Sequence, residues 1–154
     1  MYIVTNALFL SIKKNIYLNT MHKQLKISSK IGNLCIVERA IEDVIYETGI
    51  THVNYGKILV STLEAVNNAI LHGNNGNPEK IVEIEISCIN NDLTIRVTDE
   101  GNGFKPENIP DPTKPENIEA QNGRGVFLMS RLADSIKYND KGNTVTLTFK
   151  NILI

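Results

Sequence analysis

One segment constrains this chain more than any other: Leu63-Glu64-Ala65-Val66-Asn67-Asn68-Ala69-Ile70-Leu71-His72-Gly73. It lies in a run where Ile58, Leu59, Thr62, Leu63, Val66, Ala69 and Ile70 recur at three- and four-residue intervals, the period of a helix with one apolar face. Such a stripe packs on a sheet, and Gly73 followed by Asn74-Asn75-Gly76 predicts where the helix stops. The other side carries Glu64, Asn68 and His72, four residues apart and so stacked on one face. A carboxylate that takes a proton, an amide oxygen suited to Mg2+ and an imidazole make a reasonable rim for a metal–phosphate site. A solvated helix face uses the same residue types.

At 154 residues the chain predicts one domain, able to bury roughly 68–70% of its unfolded surface without staples. Sixteen basic against seventeen acidic side chains leave a net charge of −1, with no basic excess to grip a nucleic-acid backbone. Cys35 and Cys88 are too few for a zinc site or a disulfide framework. Both fall in apolar-periodic runs and are expected as buried, reduced thiols of a cytosolic protein. The apolar stretch from Met1 to Ile12 is too short to span a bilayer and lacks the basic start and cleavage site of a secretory signal. Residues 1–20 are therefore read as an extension. It is either an element packing on the body or on a second copy, or the product of an upstream start codon with Met21 as the natural beginning. Regular patterning starts only after Met21, which favours the second.

From there His22 to Ser28 alternates as a first strand, and Ser28-Ser29 are placed to cap a helix from Ile31 to Thr48, stopped by Gly49. Its expected apolar stripe is Ile31, Leu34, Cys35, Ile41, Val44 and Ile45. The helix described above follows from about Tyr55 to His72. Lys80 to Ile89 sets Val82, Ile84, Ile86 and Cys88 against Glu83, Glu85 and Ser87, a strand with one wet face. Asn90-Asn91-Asp92 turns it into a partner through Leu93, Ile95 and Val97 that ends at Asp99. Between Phe104 and Asn122 the pattern dissolves, with four of the five prolines, as in a lid or binding loop. A short helix from Gly125 and a hairpin, Ser135–Asn139 and Thr144–Lys150, complete an α+β two-layer sandwich without repeats.

Two glycine clusters add chemistry. Asp99-Glu100-Gly101-Asn102-Gly103 directly follows a strand, where glycines allow close approach of a flat ligand and Asp99 can accept from an exocyclic amine. Gly123-Arg124-Gly125 opens a helix, whose N-terminal N–H groups can hold phosphates with help from Arg124. Each alone also reads as an ordinary turn or joint. Neither the P-loop nor the dinucleotide fingerprint is present, so an ATP site here needs another geometry.

Taken in order, Glu64-x-x-x-Asn68, Asp99-x-Gly101-x-Gly103 and Gly123-x-Gly125 resemble the N box and two G boxes of the GHKL superfamily, the Bergerat-fold ATPases that include gyrase, histidine kinases and MutL. Within it, Glu64 to Gly73, Pro110 to Asn117 and Gly123 to Met129 are similar to the small anti-sigma-factor serine kinases of bacterial partner-switching. The likeness runs from about Leu25 to Lys150.

That resemblance implies a mixed, mostly antiparallel sheet with helices on one face, binding ATP and Mg2+. It makes Glu64 the general base and Asn68 the Mg2+ ligand. Asp99 would bind the adenine amino group, with Gly101 and Gly103 beneath the base. Residues 104–122 become an ATP lid, while Gly123, Arg124, Gly125 and Val126 hold phosphates and Thr144 makes a further contact. His72 either reaches the phosphates or lid or is a dipole-stabilised helix end. The implied partners are a sigma factor and an anti-anti-sigma antagonist, met by a homodimer in the bacterial cytoplasm, with neither nucleic acid nor membrane. Two other functions compete: a non-catalytic, partner-sequestering ATP module, and the ATPase part of a histidine kinase. The latter needs an acceptor histidine on a long helix ahead of the domain, whereas only His22 precedes the first helix. The first twenty residues have no counterpart in the family pattern.

Overall fold

Alternating residues become strands wherever one face can be covered. In the computed structural model, which describes residues 20–104 and 124–153, β1 (Thr20–Ser28), β2 (Ile81–Ile89), β3 (Asp92–Thr98), β4 (Ser135–Tyr138) and β5 (Thr144–Phe149) form one sheet in the order β1-β2-β3-β5-β4. Every pairing among the described residues is antiparallel, in keeping with the expected α+β fold and its mostly antiparallel sheet. The N-terminal extension, the expected lid beyond Phe104 and Gly123 lie outside the described residues.

Register explains the core. Leu25, Ile84, Val97, Val145 and Tyr138 are successive cross-strand partners, and Lys23, Ile86, Ile95, Leu147 and Ile136 form the next such row. Ile84, Ile86, Ile95, Leu147 and Phe149 are completely buried beneath the helices. The opposite face stays polar, with Arg96 paired to Glu85 at 3.2 Å. Lys23 is an inward-facing charge on edge strand β1, held by Asp43 at 2.9 Å; an edge so marked is a poor template for further strands. Asn90 and Asn91 both take positive φ, 51° and 68°, as a tight hairpin turn between β2 and β3 demands.

The first helical segment begins as a 3-10 turn, Ile31–Asn33, before α1 (Leu34–Thr48). Two expectations fail there. Ser28 and Ser29 do not cap it: the Ser29 hydroxyl donates to the Lys80 carbonyl at 3.0 Å, and Ser28 Oγ accepts from Asn33 Nδ2 at 2.9 Å. The tighter opening turn also rotates the stripe onto Val37, Ala40, Ile41, Val44 and Thr48, leaving Ile31 and Cys35 exposed. Cys88 is buried as expected. Gly49 ends α1 in the left-handed region, φ 73°.

α2 (His52–Asn68) starts three residues earlier than its pattern suggested and runs into a π turn, Ala69–Gly73. Its buried face includes Ile58, Thr62, Val66 and, in the π turn, Ile70. α3 (Arg124–Leu132) packs on α2 and inserts Met129 into the core. The chain's end is pinned to the N-terminus of α2, where Asn54 Nδ2 donates to the Ile152 carbonyl at 2.9 Å.

Candidate functional site

The end of α2, the loop after β3, the start of α3 and the β4–β5 loop surround a cleft of about 980 Å³. Of the residues singled out in the sequence, Glu64, Asn68, His72, Asp99, Gly103, Arg124, Gly125, Val126 and Thr144 all line it. Gly101 stands behind it, its N–H donating to Asp99 Oδ1 at 2.7 Å. Gly123 lies outside the described residues.

The π turn brings the helix end to Asp99. The Asn74 N–H bonds the Ala69 carbonyl five residues back, at 2.8 Å, instead of the usual four. Gly73 then passes so close to Asp99 that a Cβ on it would lie 2.5–2.6 Å from both carboxylate oxygens. Gly73 therefore admits Asp99 as well as marking the helix end. Burial pushes the Asp99 carboxyl above its usual range, and the Gly101 hydrogen bond and the charges of Lys141 and Lys80 offset this only in part. A half-buried carboxylate of this kind discriminates strongly for a ligand that donates to it, since an unpaired buried acceptor is costly.

Gly125 makes the second approach. A Cβ on it would meet Glu64 Oε2 at 2.5 Å and the Asn68 side-chain amide at 3.4–3.5 Å. The first turn of α3 thus lies directly against the carboxylate and the amide of α2. A helix-start backbone of the kind that can hold phosphates and a carboxylate able to accept a proton lie side by side, with an amide oxygen able to serve a cation beside them.

Four residues matter more than the sequence suggested. Asn74, read there only as a turn former, is 1% exposed and clasps three elements. Its Nδ2 donates to Ser29 Oγ at 2.8 Å and to the Ile81 carbonyl at 2.9 Å, while its Oδ1 accepts from the Glu100 N–H at 2.8 Å. Glu100 returns the contact by accepting from the Ile81 N–H. Asn143 holds Asp99 from the other side: Asp99 N–H donates to its carbonyl at 3.0 Å, and its Nδ2 donates to the Asp99 carbonyl at 2.7 Å. Thr144, the contact expected from the resemblance, lines the cleft but sets its hydroxyl 3.1 Å from Thr98 Oγ1. Asn139 orders that loop, its Oδ1 accepting from the N–H groups of Gly142, Asn143 and Thr144 at 2.8–3.1 Å. The fourth is Tyr138, whose ring meets Phe104 edge-on with centroids 5.1 Å apart.

Among the described residues no group of three or more His, Cys, Asp or Glu could hold a metal ion. Mg2+ does not need one, because it keeps waters and takes phosphate oxygens, so one protein oxygen such as Asn68 Oδ1 fits it. No helix among the described residues is long and apolar enough to cross a membrane.

The chain is similar to known proteins. Serine-protein kinase RsbW of Oceanobacillus iheyensis is 24% identical over 135 residues, 84% of this chain and 85% of that protein. An anti-sigma F factor of Clostridium botulinum is 29% identical over 146 residues, 89% of this chain and 99% of that one. The crystal structure of the RsbU and RsbW domains of a Mycobacterium tuberculosis protein superposes on 84% of this chain with a TM-score of 0.57 at 18% identity, a likeness of fold. This chain spans about a third of that larger one, 32%. The family described as histidine kinase-like ATPase domain matches residues 27–149. The chain belongs to the histidine kinase-like ATPase domain family.

Proposed function

We propose that this protein is an ATP-dependent serine protein kinase and anti-sigma factor of the partner-switching type. It binds a sigma factor and phosphorylates an anti-anti-sigma antagonist on serine, as a homodimer in the bacterial cytoplasm. The observation that carries the reading is the meeting of Gly125 with Glu64 and Asn68 in the cleft that also holds Asp99. The names of the relatives, serine-protein kinase and anti-sigma factor, supply the class of substrate and partner.

Each residue has a task in this reading. Asp99 accepts from the adenine amino group, which orients the nucleotide. The α3 N-terminus and Arg124 hold the phosphates, and Asn68 supplies one oxygen to Mg2+, whose charge offsets that of the phosphates. Glu64 accepts the proton of the antagonist's serine hydroxyl as that oxygen bonds to the γ-phosphorus. The bond to the bridging oxygen breaks, and ADP leaves with the electron pair. Phosphoryl transfer asks a protein for alignment and charge neutralisation above all, and these residues provide both.

Incubation with Mg-ATP and an antagonist domain tests the proposal. Phosphoserine on the antagonist is expected; sequestration of a partner with no phosphoserine would establish the non-catalytic reading instead.

A further inference from the structure

Tyr138 ends β4 opposite Val145, in the same buried row as Val97. All three line the cleft, and Tyr138 stands where the cleft adjoins a shallow depression on the open sheet face. Its hydroxyl oxygen is buried and has no hydrogen-bond partner among the described residues. Leaving a buried hydroxyl unpaired costs about 1–3 kcal/mol, and a phenylalanine would fill the same space without that cost. The oxygen therefore points to a partner that arrives with a ligand.

We propose that the Tyr138 hydroxyl is a base-selecting contact, donating a hydrogen bond to a purine ring nitrogen of the bound nucleotide. This rests on the reading of the cleft as an ATP site. A base whose amino edge meets Asp99, with its phosphates at Gly125, lies along the apolar strip of Val97 and Val145, and Tyr138 closes that strip. Ring nitrogens are the acceptors a purine offers there, and burial keeps the phenol protonated, hence a donor. Phe104, edge-on to Tyr138, holds the ring in place, and because the hydroxyl is buried in the ligand-free protein, entry of the base must shift its covering atoms enough to expose it.

The test is Tyr138→Phe, with calorimetric titration by Mg-ATP and its 1-deaza, 3-deaza and 7-deaza analogues, and melting of the ligand-free protein. The variant should bind ATP about 3- to 10-fold more weakly, the loss of one neutral hydrogen bond. One deaza analogue should bind both proteins alike, because it lacks the nitrogen concerned. The ligand-free variant should melt no lower than the wild type. Unchanged ATP affinity would overturn the inference, as would an equal loss for ATP and all three analogues, which marks a role in folding alone. If the wild type itself takes up no ATP, it is the ATP-site reading that fails.

Discussion

Gly125 lies against Glu64 so closely that one added methyl group would stand 2.5 Å from the carboxylate oxygen. Two segments far apart in sequence thus meet at a spot where only a hydrogen atom fits. The proximity ties the turn of α3 proposed to hold phosphates to the carboxylate on α2 proposed as proton acceptor.

Gly125→Ala follows from that contact. The Glu64 carboxylate is the end of a flexible side chain and can swing aside, so the fold survives. Alanine in a helix is moreover favoured over glycine by about 1 kcal/mol. Thermal melting should show equal or greater stability, while antagonist phosphorylation falls about 100-fold, the cost of misplacing a reacting group by about 1 Å. Full activity in this variant would remove Glu64 from the chemistry.

Asp99→Asn should separate stability from function. Because burial raises the folded-state pKa of Asp99, the folded form binds a proton more tightly than the unfolded chain. Its contribution to stability is then fully present below the unfolded pKa and is lost as pH rises through the folded value. The substitution should stabilise the ligand-free protein at neutral pH, each 1 kcal/mol appearing as about 2–4 °C in Tm, and the gain should vanish in acid. Preference for ATP over inosine triphosphate, which lacks the amino group, should be lost. A Tm difference independent of pH would show that desolvation of the carboxylate is not its source.

Asn74→Ala removes the clasp behind the cleft. It leaves the Glu100 N–H and the Ile81 carbonyl, both part-buried, without their Asn74 partner, at about 1–3 kcal/mol in all, so Tm should fall by about 2–12 °C. Since Glu100 adjoins Asp99, the ratio of ATP to inosine triphosphate affinity should also shrink. A lower Tm with an unchanged ratio would make Asn74 a residue of the fold only.

Much of this was legible in the chain. The alternation of Val82, Ile84, Ile86 and Cys88 gave β2 and its buried face, and the 64–68 spacing placed Glu64 and Asn68 on one side of α2. Local period carries such information because each strand or helix must bury one face. What stayed hidden was set by tertiary contact. Nothing near Cys35 announces the 3-10 turn that rotates it outward, and the bonds of Asn74 reach partners up to 45 residues away. Asn143 and Thr144 are neighbours whose side chains diverge, so a single step decides which one reaches Asp99.

Calorimetric titration of the wild type, Glu64→Gln and Asn68→Ala with ATP, each with and without Mg2+, bears most directly on the site as a whole. Wild type and Glu64→Gln should bind Mg-ATP alike, with phosphoryl transfer abolished only in the variant, while Asn68→Ala binds more weakly and responds less to Mg2+. Absence of magnesium-dependent ATP uptake by the wild type, or equal loss of binding in both variants, would contradict the account.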